Sequence, residues 1–171
     1  MRFLALLLAS AVFALAACGG GGGTTATQTV TAQKQGGYPP TKAEFINQAD
    51  ALCQQFHADT ASLRGRIQDL GQPTSTADLH RGADLIRQYA DELSSEAAKL
   101  REIQPPRGDE AIINTWLSTA ESGITAFHDL GDAYDSGDGQ RIRSLGSEVQ
   151  SRNDKASGIA QGYGLKVCGS D

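Results

Sequence analysis

From residue 41 onward, apolar residues recur every three or four positions, the spacing of one face of an α-helix. The first such stretch follows Tyr38-Pro39-Pro40 and opens with Thr41 and Glu44, a pair that can satisfy each other's backbone N–H groups in a capping box. It is predicted to end at Gly71 and Pro73. Its apolar stripe comprises Phe45, Ala49, Leu52, Phe56, Thr60, Leu63, Ile67 and Leu70, widened by Ile46 and Cys53.

Three further stretches have the same periodicity. The second is predicted to open at Ser75 and to stop before Pro105, because the residue that precedes a proline is pushed out of the helical region. The third runs from about Asp109 to a turn at residues 136–139, and the fourth from about Gln140 to Ala160. Their stripes are Leu79, Gly82, Ile86, Tyr89, Leu93, Ala97, Leu100 and Ile103; then Ile113, Trp116, Leu117, Ala120, Ile124, Phe127 and Leu130; then Ile142, Leu145, Val149, Ala156 and Ile159.

These four segments are joined by short turns rich in proline and glycine, and no segment alternates with a period of two. Short connections favour antiparallel neighbours, so we predict an all-α fold, an up-down-up-down four-helix bundle. The stretch from Gly162 to Gly169 contains too many glycines for a helix, and we expect an extended tail that crosses the end of the bundle.

The N-terminus has a different pattern. Arg2 precedes a continuous apolar run from Phe3 to Ala17, about 15 residues, which is shorter than the roughly 20 that span a bilayer. The run closes with Leu15-Ala16-Ala17-Cys18, which resembles the lipobox of bacterial lipoprotein signal peptides. That resemblance implies that residues 1–17 are a cleaved signal peptide and that Cys18 becomes a lipidated N-terminus outside the cytoplasmic membrane. The alternative is an uncleaved N-terminal anchor, which also attaches the chain to the membrane.

Residues 18–37, which begin with the predicted lipidated cysteine, are rich in glycine and threonine, and Val30 is their only large aliphatic residue. They cannot bury enough apolar surface to offset backbone ordering, so we predict a disordered linker. Residues 38–171 then form the bundle domain, whose length of about 134 residues is ordinary for one domain.

The cysteines predict one cross-link. If lipid occupies Cys18, only Cys53 and Cys168 remain in an oxidising compartment, and they can pair in one way. The bond would pin the tail across the first helix. The alternative is two free thiols, with Cys53 as a small core residue.

The ordered part has a second resemblance, carried by Phe45-Ile46, by Ala49-Asp50-Ala51-Leu52-Cys53, by the mid-chain prolines, by Trp116-Leu117 and by the closing stretch from Tyr163 to Gly169. It looks like a group of uncharacterised small exported helical proteins and lipoproteins of actinobacteria. The resemblance covers about residues 38–171 and implies a fold, a compartment and a disulfide, but no activity.

The charge pattern excludes one class of partner. The formal net charge is −5, and the acidic residues are spread along the chain. A nucleic-acid surface needs clustered lysine and arginine, which the chain lacks, so no nucleic-acid partner is expected.

The three histidines are candidates for a metal or haem site between helices. His57, His80 and His128 each follow a stripe residue, which places them at the flank of the apolar face. No glutamate lies three residues before any of them, as a carboxylate di-metal site requires. Met1 is the only methionine, and no Cys-x-x-Cys-His is present, so bis-histidine haem is the one haem ligation left open. We expect no metal and no cofactor.

The sequence also lacks the patterns of nucleophilic catalysis. His128 and Asp129 are adjacent and point about 100 degrees apart in a helix, and there is no Gly-x-Ser-x-Gly, phosphate-binding glycine loop or His-Glu-x-x-His. The acidic residues from Asp129 to Asp138 are spaced by three, which indicates a solvated helix face with Asp138 as a cap rather than a calcium loop. Trp116 is either a platform for a cell-wall sugar or a core residue, and its place in the stripe favours the core.

Together these features predict a lipid-anchored helical module at the outer face of the cytoplasmic membrane. We expect it to be non-enzymatic, with no catalytic residues, and to bind an envelope protein or a small ligand. The alternatives are a metal- or haem-binding bundle and a cell-envelope hydrolase.

Overall fold

The structure is a computed structural model that describes residues 38–71 and 73–170. It contains four α-helices, α1 (Lys42–Gln68), α2 (Thr76–Glu102), α3 (Glu110–Ser136) and α4 (Gly139–Tyr163), and this part of the chain has no β-strand. The predicted all-α fold is confirmed. The signal peptide, Cys18 and the linker predicted within residues 1–37 lie outside the described residues. None of the four helices is both long enough and apolar enough to cross a bilayer.

Three of the four helices begin at predicted side-chain caps, whereas Asp109 at the start of α3 forms no side-chain cap hydrogen bond. Thr41 and Glu44 form the full capping box of α1, in which the Thr41 N–H donates to Glu44 Oε2 at 2.7 Å. Ser75 Oγ accepts the N–H of Asp78 at 3.2 Å at the start of α2. Asp138 caps α4 by accepting two backbone N–H groups, each at 3.0 Å. The local sequence therefore sets the helix starts, because side-chain oxygens satisfy N–H groups that have no partner inside the helix.

Consecutive helices lie side by side, so the bundle has three closed seams: α1 with α2, α2 with α3, and α3 with α4. The fourth seam is different. Over the whole of both helices, no Cα atom of α1 lies within 8 Å of a Cα atom of α4. The backbones of α1 and α4 therefore lie further apart than those of consecutive helices.

The seam between α2 and α3 contains two positions where only glycine fits without a shift of its neighbour. A methyl group added at Gly82 would lie 2.7 Å from Cδ1 of Tyr134, and one added at Gly131 would lie 2.8 Å from Cγ of Arg87. Helix α2 has a neighbour on both sides, so its buried face is wider than the predicted stripe and includes Ala83, Leu85 and Ala90. On α4, which lacks a neighbour on one side, only Ala156, Ser157, Ala160 and Tyr163 are buried.

At one end of the bundle, two contacts of the Tyr163 ring join α4 to α1. The rings of Phe45 and Tyr163 meet edge to face with centroids 5.9 Å apart. The Tyr163 hydroxyl donates to Asp109 Oδ2 at 2.6 Å, and burial together with this carboxylate raises the pKa of Tyr163. Lys42 Nζ lies 4.1 Å from the centre of the same ring. The end of α4 is thus fixed to the starts of α1 and α3.

The tail is shorter than the sequence suggested. Helix α4 continues through Gly162 to Tyr163, three residues beyond the predicted end at Ala160, and stops at Gly164, whose φ of 110° favours glycine. The chain then winds through turns alongside α1 rather than running straight, with Leu165 buried at 2 % exposure. Glycines end the helix only at the position where the backbone adopts the left-handed conformation.

One carboxylate holds this tail against α1. The side chain of Asp50 accepts the backbone N–H groups of Lys166, Val167 and Cys168, at distances of 2.9, 2.9 and 3.2 Å. Charge-assisted hydrogen bonds of this kind are roughly twice as strong as neutral ones. Asp50 therefore satisfies three consecutive backbone donors that no helix or strand would otherwise pair.

The predicted disulfide between Cys53 and Cys168 is confirmed. Their Cα atoms are 5.3 Å apart, and 115 positions separate them in the sequence. The bond joins the middle of α1 to the tail, three residues along the helix from Asp50. It is a covalent link on the side of the bundle where no Cα atoms of α1 and α4 lie within 8 Å of each other.

We expect replacement of both cysteines, Cys53→Ala with Cys168→Ala, to lower the free energy of unfolding by up to about 4 to 5 kcal/mol, because the bond restricts a very long loop in the unfolded chain. Chemical denaturation of the disulfide-bonded protein measures this. The double variant should not respond to reductant, whereas the wild type should lose stability on reduction. Amide exchange of residues 165–170 should accelerate at the same time. An unchanged denaturation midpoint after verified reduction would contradict the expectation.

Candidate functional site

A cavity of about 110 Å³ lies in the middle of the bundle. Its walls are mainly apolar, and all four helices and the tail contribute to them. The apolar lining comprises Cys53, Phe56, Leu93, Ala97, Leu100, Trp116, Leu117, Ala120, Ile124, Phe127, Val149, Ala156 and Cys168. The disulfide is thus part of the cavity wall.

Three of the five polar residues that line the cavity are partly or fully exposed. Asn153 on α4 is exposed, and His57 on α1 and Arg152 on α4 are half-buried. Arg152 lies on the side of α4 that faces α3, because a methyl group added at Gly123 would lie 3.6 Å from its Cβ. Its guanidinium is paired with Glu148, with Nε 3.0 Å from Oε1.

Glu96 is the only charged residue buried in the described ranges, at 5 % exposure, and it lines the cavity. Its Oε2 lies 3.6 Å from Nζ of Lys99, whose side chain is half exposed. Its Oε1 is buried and has no hydrogen-bond partner among the described residues. Burial raises the pKa of Glu96 above its ordinary value of 4.5; Lys99 and His57 oppose this shift, and Asp59 adds to it. A buried carboxyl group with an unpaired oxygen is costly, and such groups mark functional sites.

Aromatic rings form part of the same cavity lining as Glu96. Phe56, Trp116 and Phe127 all line the cavity. The ring of Tyr89 packs beside two of them, with centroids 6.0 Å from Phe56 and 5.5 Å from Phe127. The site therefore combines apolar aromatic walls with one acidic group, which suits a small molecule with an apolar body and one polar end.

The structure separates the three histidines. His57 lines the cavity. His80 lies on the surface, where its Nδ1 is 2.8 Å from Asp135 Oδ1. His128 Nε2 is 3.9 Å from Asp91 Oδ1. Only His57 lines the cavity, so a bis-histidine haem there would lack its second ligand. In residues 38–71 and 73–170, no three His, Cys, Asp or Glu side chains come together in a way that could hold a metal ion.

The acidic row on α3 is a solvated face with its own partners. Asp132 Oδ1 accepts from Arg87 at 2.9 Å, and Asp135 pairs with both Arg87 and His80. The hydrogen bonds from His80 and Arg87 lower the pKa of Asp135. Asp138 is a helix cap, as predicted.

Trp116 and Phe56 are both buried, at 4 % and 8 % exposure, which confirms their place in the core. Trp116 does not form an exposed sugar platform, but its ring forms part of the cavity wall. Trp116 is thus both a core residue and part of the cavity wall.

Glu96 is not among the candidate residues predicted from the sequence, although the sequence contains a signal for its burial. It lies three residues after Leu93 and four before Leu100, so it shares their helical face. The predicted stripe passed from Leu93 to Ala97 and left this acid out. A charged residue inside an apolar stripe is the pattern that indicates a buried polar site.

In comparisons with protein-family models, curated proteins and solved structures, the chain has no match.

We expect the stabilities of the wild type and Glu96→Gln to diverge with pH. The pKa of Glu96 is raised on folding, so below pH 4.5 the carboxyl is protonated in both states. As the pH rises, the unfolded chain ionises first, and the wild type loses stability until the pH passes the folded pKa. The amide does not titrate. Chemical denaturation from pH 4 to pH 8 should therefore show Glu96→Gln gaining on the wild type as the pH rises.

The matched control for this experiment is Glu92→Gln, an exposed position on the same helix. Its difference from the wild type should vary little across the same pH range. Parallel pH profiles for Glu96→Gln and the wild type would show that burial does not perturb this carboxyl group.

Proposed function

We propose that the protein is a lipid-anchored, non-enzymatic binding module at the outer face of the cytoplasmic membrane, and that it binds a small ligand in the central cavity. The observation that carries this proposal is an apolar cavity lined by Glu96, whose buried Oε1 has no hydrogen-bond partner among the described residues. Unfilled apolar space and a buried carboxyl group with an unpaired oxygen both cost stability. A ligand that fills the space and pairs with the oxygen removes both costs.

A small ligand is favoured over a protein partner. Among the described large apolar side chains, only Tyr38 and Ile112 are exposed. Protein-binding surfaces usually show a contiguous apolar patch, whereas two exposed side chains on a domain of this size are ordinary.

The cavity limits the size of this ligand. Its volume of about 110 Å³ is well below the 300 to 1,000 Å³ of pockets for drug-sized molecules. It is closer to the engineered cavity of about 150 Å³ that accepts benzene. The buried part of the ligand is therefore about the size of one six-membered ring or a short alkyl chain.

The location is proposed from the N-terminal sequence. The Leu15-Ala16-Ala17-Cys18 motif supports export and lipid attachment at Cys18, and the Gly/Thr-rich residues up to 37 supply a linker. Two or more acyl chains are needed for stable attachment, since one gives only marginal binding. The membrane would then keep the module where envelope solutes pass.

A cell-envelope hydrolase is the second candidate, because His57, Glu96 and Ser157 line the same cavity. Binding is favoured over hydrolysis because these residues lie within helices, where backbone N–H groups are used in helical hydrogen bonds. An oxyanion hole requires free donors aimed at the reacting oxygen. Ester hydrolysis that Ser157→Ala abolishes would instead support the hydrolase.

We expect a neutral one-ring compound such as toluene to raise the Tm of the wild type, because a ligand that binds only the folded state stabilises it. Ala97→Leu and Ala120→Leu place extra atoms in the cavity wall and should suppress this shift. Ala98→Leu is the matched control, since it is the exposed neighbour of Ala97 and should respond like the wild type. Equal shifts in folded cavity variants and control would place the binding elsewhere.

We expect the exported protein to begin at Cys18 and to carry lipid on that residue. Mass spectrometry of the N-terminal peptide and partition into detergent measure this. Cys18→Ser should retain residues 1–17 and carry no lipid, whereas Cys53→Ser should be processed normally. A wild-type N-terminus at another residue, or an N-terminal peptide without acyl chains, would contradict lipid attachment.

A further inference from the structure

We propose that the ligand is a small organic cation, an amine whose ammonium group contacts Oε1 of Glu96 while its apolar body lies among the aromatic rings of the cavity. This inference rests on the proposed function above and identifies the chemical class that the cavity selects. Two independent features point to it: the unpaired carboxylate oxygen and the aromatic walls.

The charge around Glu96 is only partly compensated. Lys99 Nζ lies 3.6 Å from Oε2, beyond the usual length of a charge-assisted hydrogen bond, and its side chain is 51 % exposed. Asp59 adds negative potential at Glu96, and His57 opposes it. Oε1 therefore remains as a buried acceptor, and a cationic donor is the ligand group that compensates it best.

The walls suit the rest of such a ligand. Phe56, Trp116 and Phe127 surround the same space, and aromatic faces attract ammonium groups, tryptophan most strongly. They also provide apolar surface for a ring or short alkyl chain. A carboxylate and aromatic rings together therefore recognise both parts of an amine.

The same arrangement disfavours an anion. Arg152 also lines the cavity, but its Nε and Nη2 both donate to Glu148 Oε1. An anion in the cavity would meet Glu96, where like charges repel strongly because little water screens them. The order of preference expected from the site is thus cation, then neutral molecule, then anion.

Three probes of one shape test this order: benzylamine as the cation, benzyl alcohol as its neutral counterpart and benzoate as the anion. The exported protein is reconstituted in liposomes, with empty liposomes as the blank. Trp116 is the only tryptophan of the chain, so its fluorescence reports binding in the cavity directly. Benzylamine should bind at least about tenfold more tightly than benzyl alcohol, and benzoate should bind most weakly.

Glu96→Gln keeps the shape of the side chain and removes its charge. It should weaken benzylamine binding by about tenfold and leave benzyl alcohol within about twofold. The control Glu92→Gln should change neither value. If Glu96→Gln does not fold, Glu96→Met, which is also uncharged and of similar length, serves in its place.

The outcomes separate the two proposals. If benzyl alcohol binds as tightly as benzylamine, or if the uncharged variant binds benzylamine as well as the wild type does, the cation inference is overturned while the small-ligand function stands. If none of the probes, toluene included, changes Trp116 fluorescence or Tm, the small-ligand function itself is overturned. Charge-dependent binding that requires Glu96 supports both.

Discussion

The attachment of the C-terminal tail to α1 is the constraint on which the rest of this structure depends. Asp50 binds three consecutive N–H groups of the tail, and one helical turn further the Cys53–Cys168 bond fixes it covalently. Helices α1 and α4 touch each other at the ring of Tyr163, but no pair of their Cα atoms lies within 8 Å. The tail that follows α4 therefore provides the hydrogen-bonded and covalent link to α1, and its Cys168 also lines the cavity.

The close helix packing and the cavity lie in different parts of the bundle. The seam between α2 and α3 is tightly packed, with Gly82 against Tyr134 and Gly131 against Arg87. The centre instead contains unfilled space and the buried Glu96, both of which oppose folding. Proteins commonly accept such costs at functional sites and offset them elsewhere. Here the disulfide and the close helix packing supply the compensation.

The first described residues and the cavity lie in different parts of the domain. Tyr38 leads into the start of α1, at the end where Tyr163 contacts Phe45 and Asp109. The cavity is lined by residues further along the helices, among them Phe56, Trp116 and Phe127.

The sequence by itself determined the four helices, their caps and the pairing of Cys53 with Cys168. Periodicity and capping act within one turn of helix, and only two cysteines remained to pair once Cys18 was assigned to lipid. Only the tertiary structure decided that α1 and α4 stay apart, that Asp50 binds the tail, and that Glu96 is buried beside an open space. The physical reason is that these features depend on how segments distant in sequence approach one another. The place of Glu96 in an apolar stripe indicates that its side chain faces the core. The positions of the other helices decide whether its carboxyl group has a hydrogen-bond partner there.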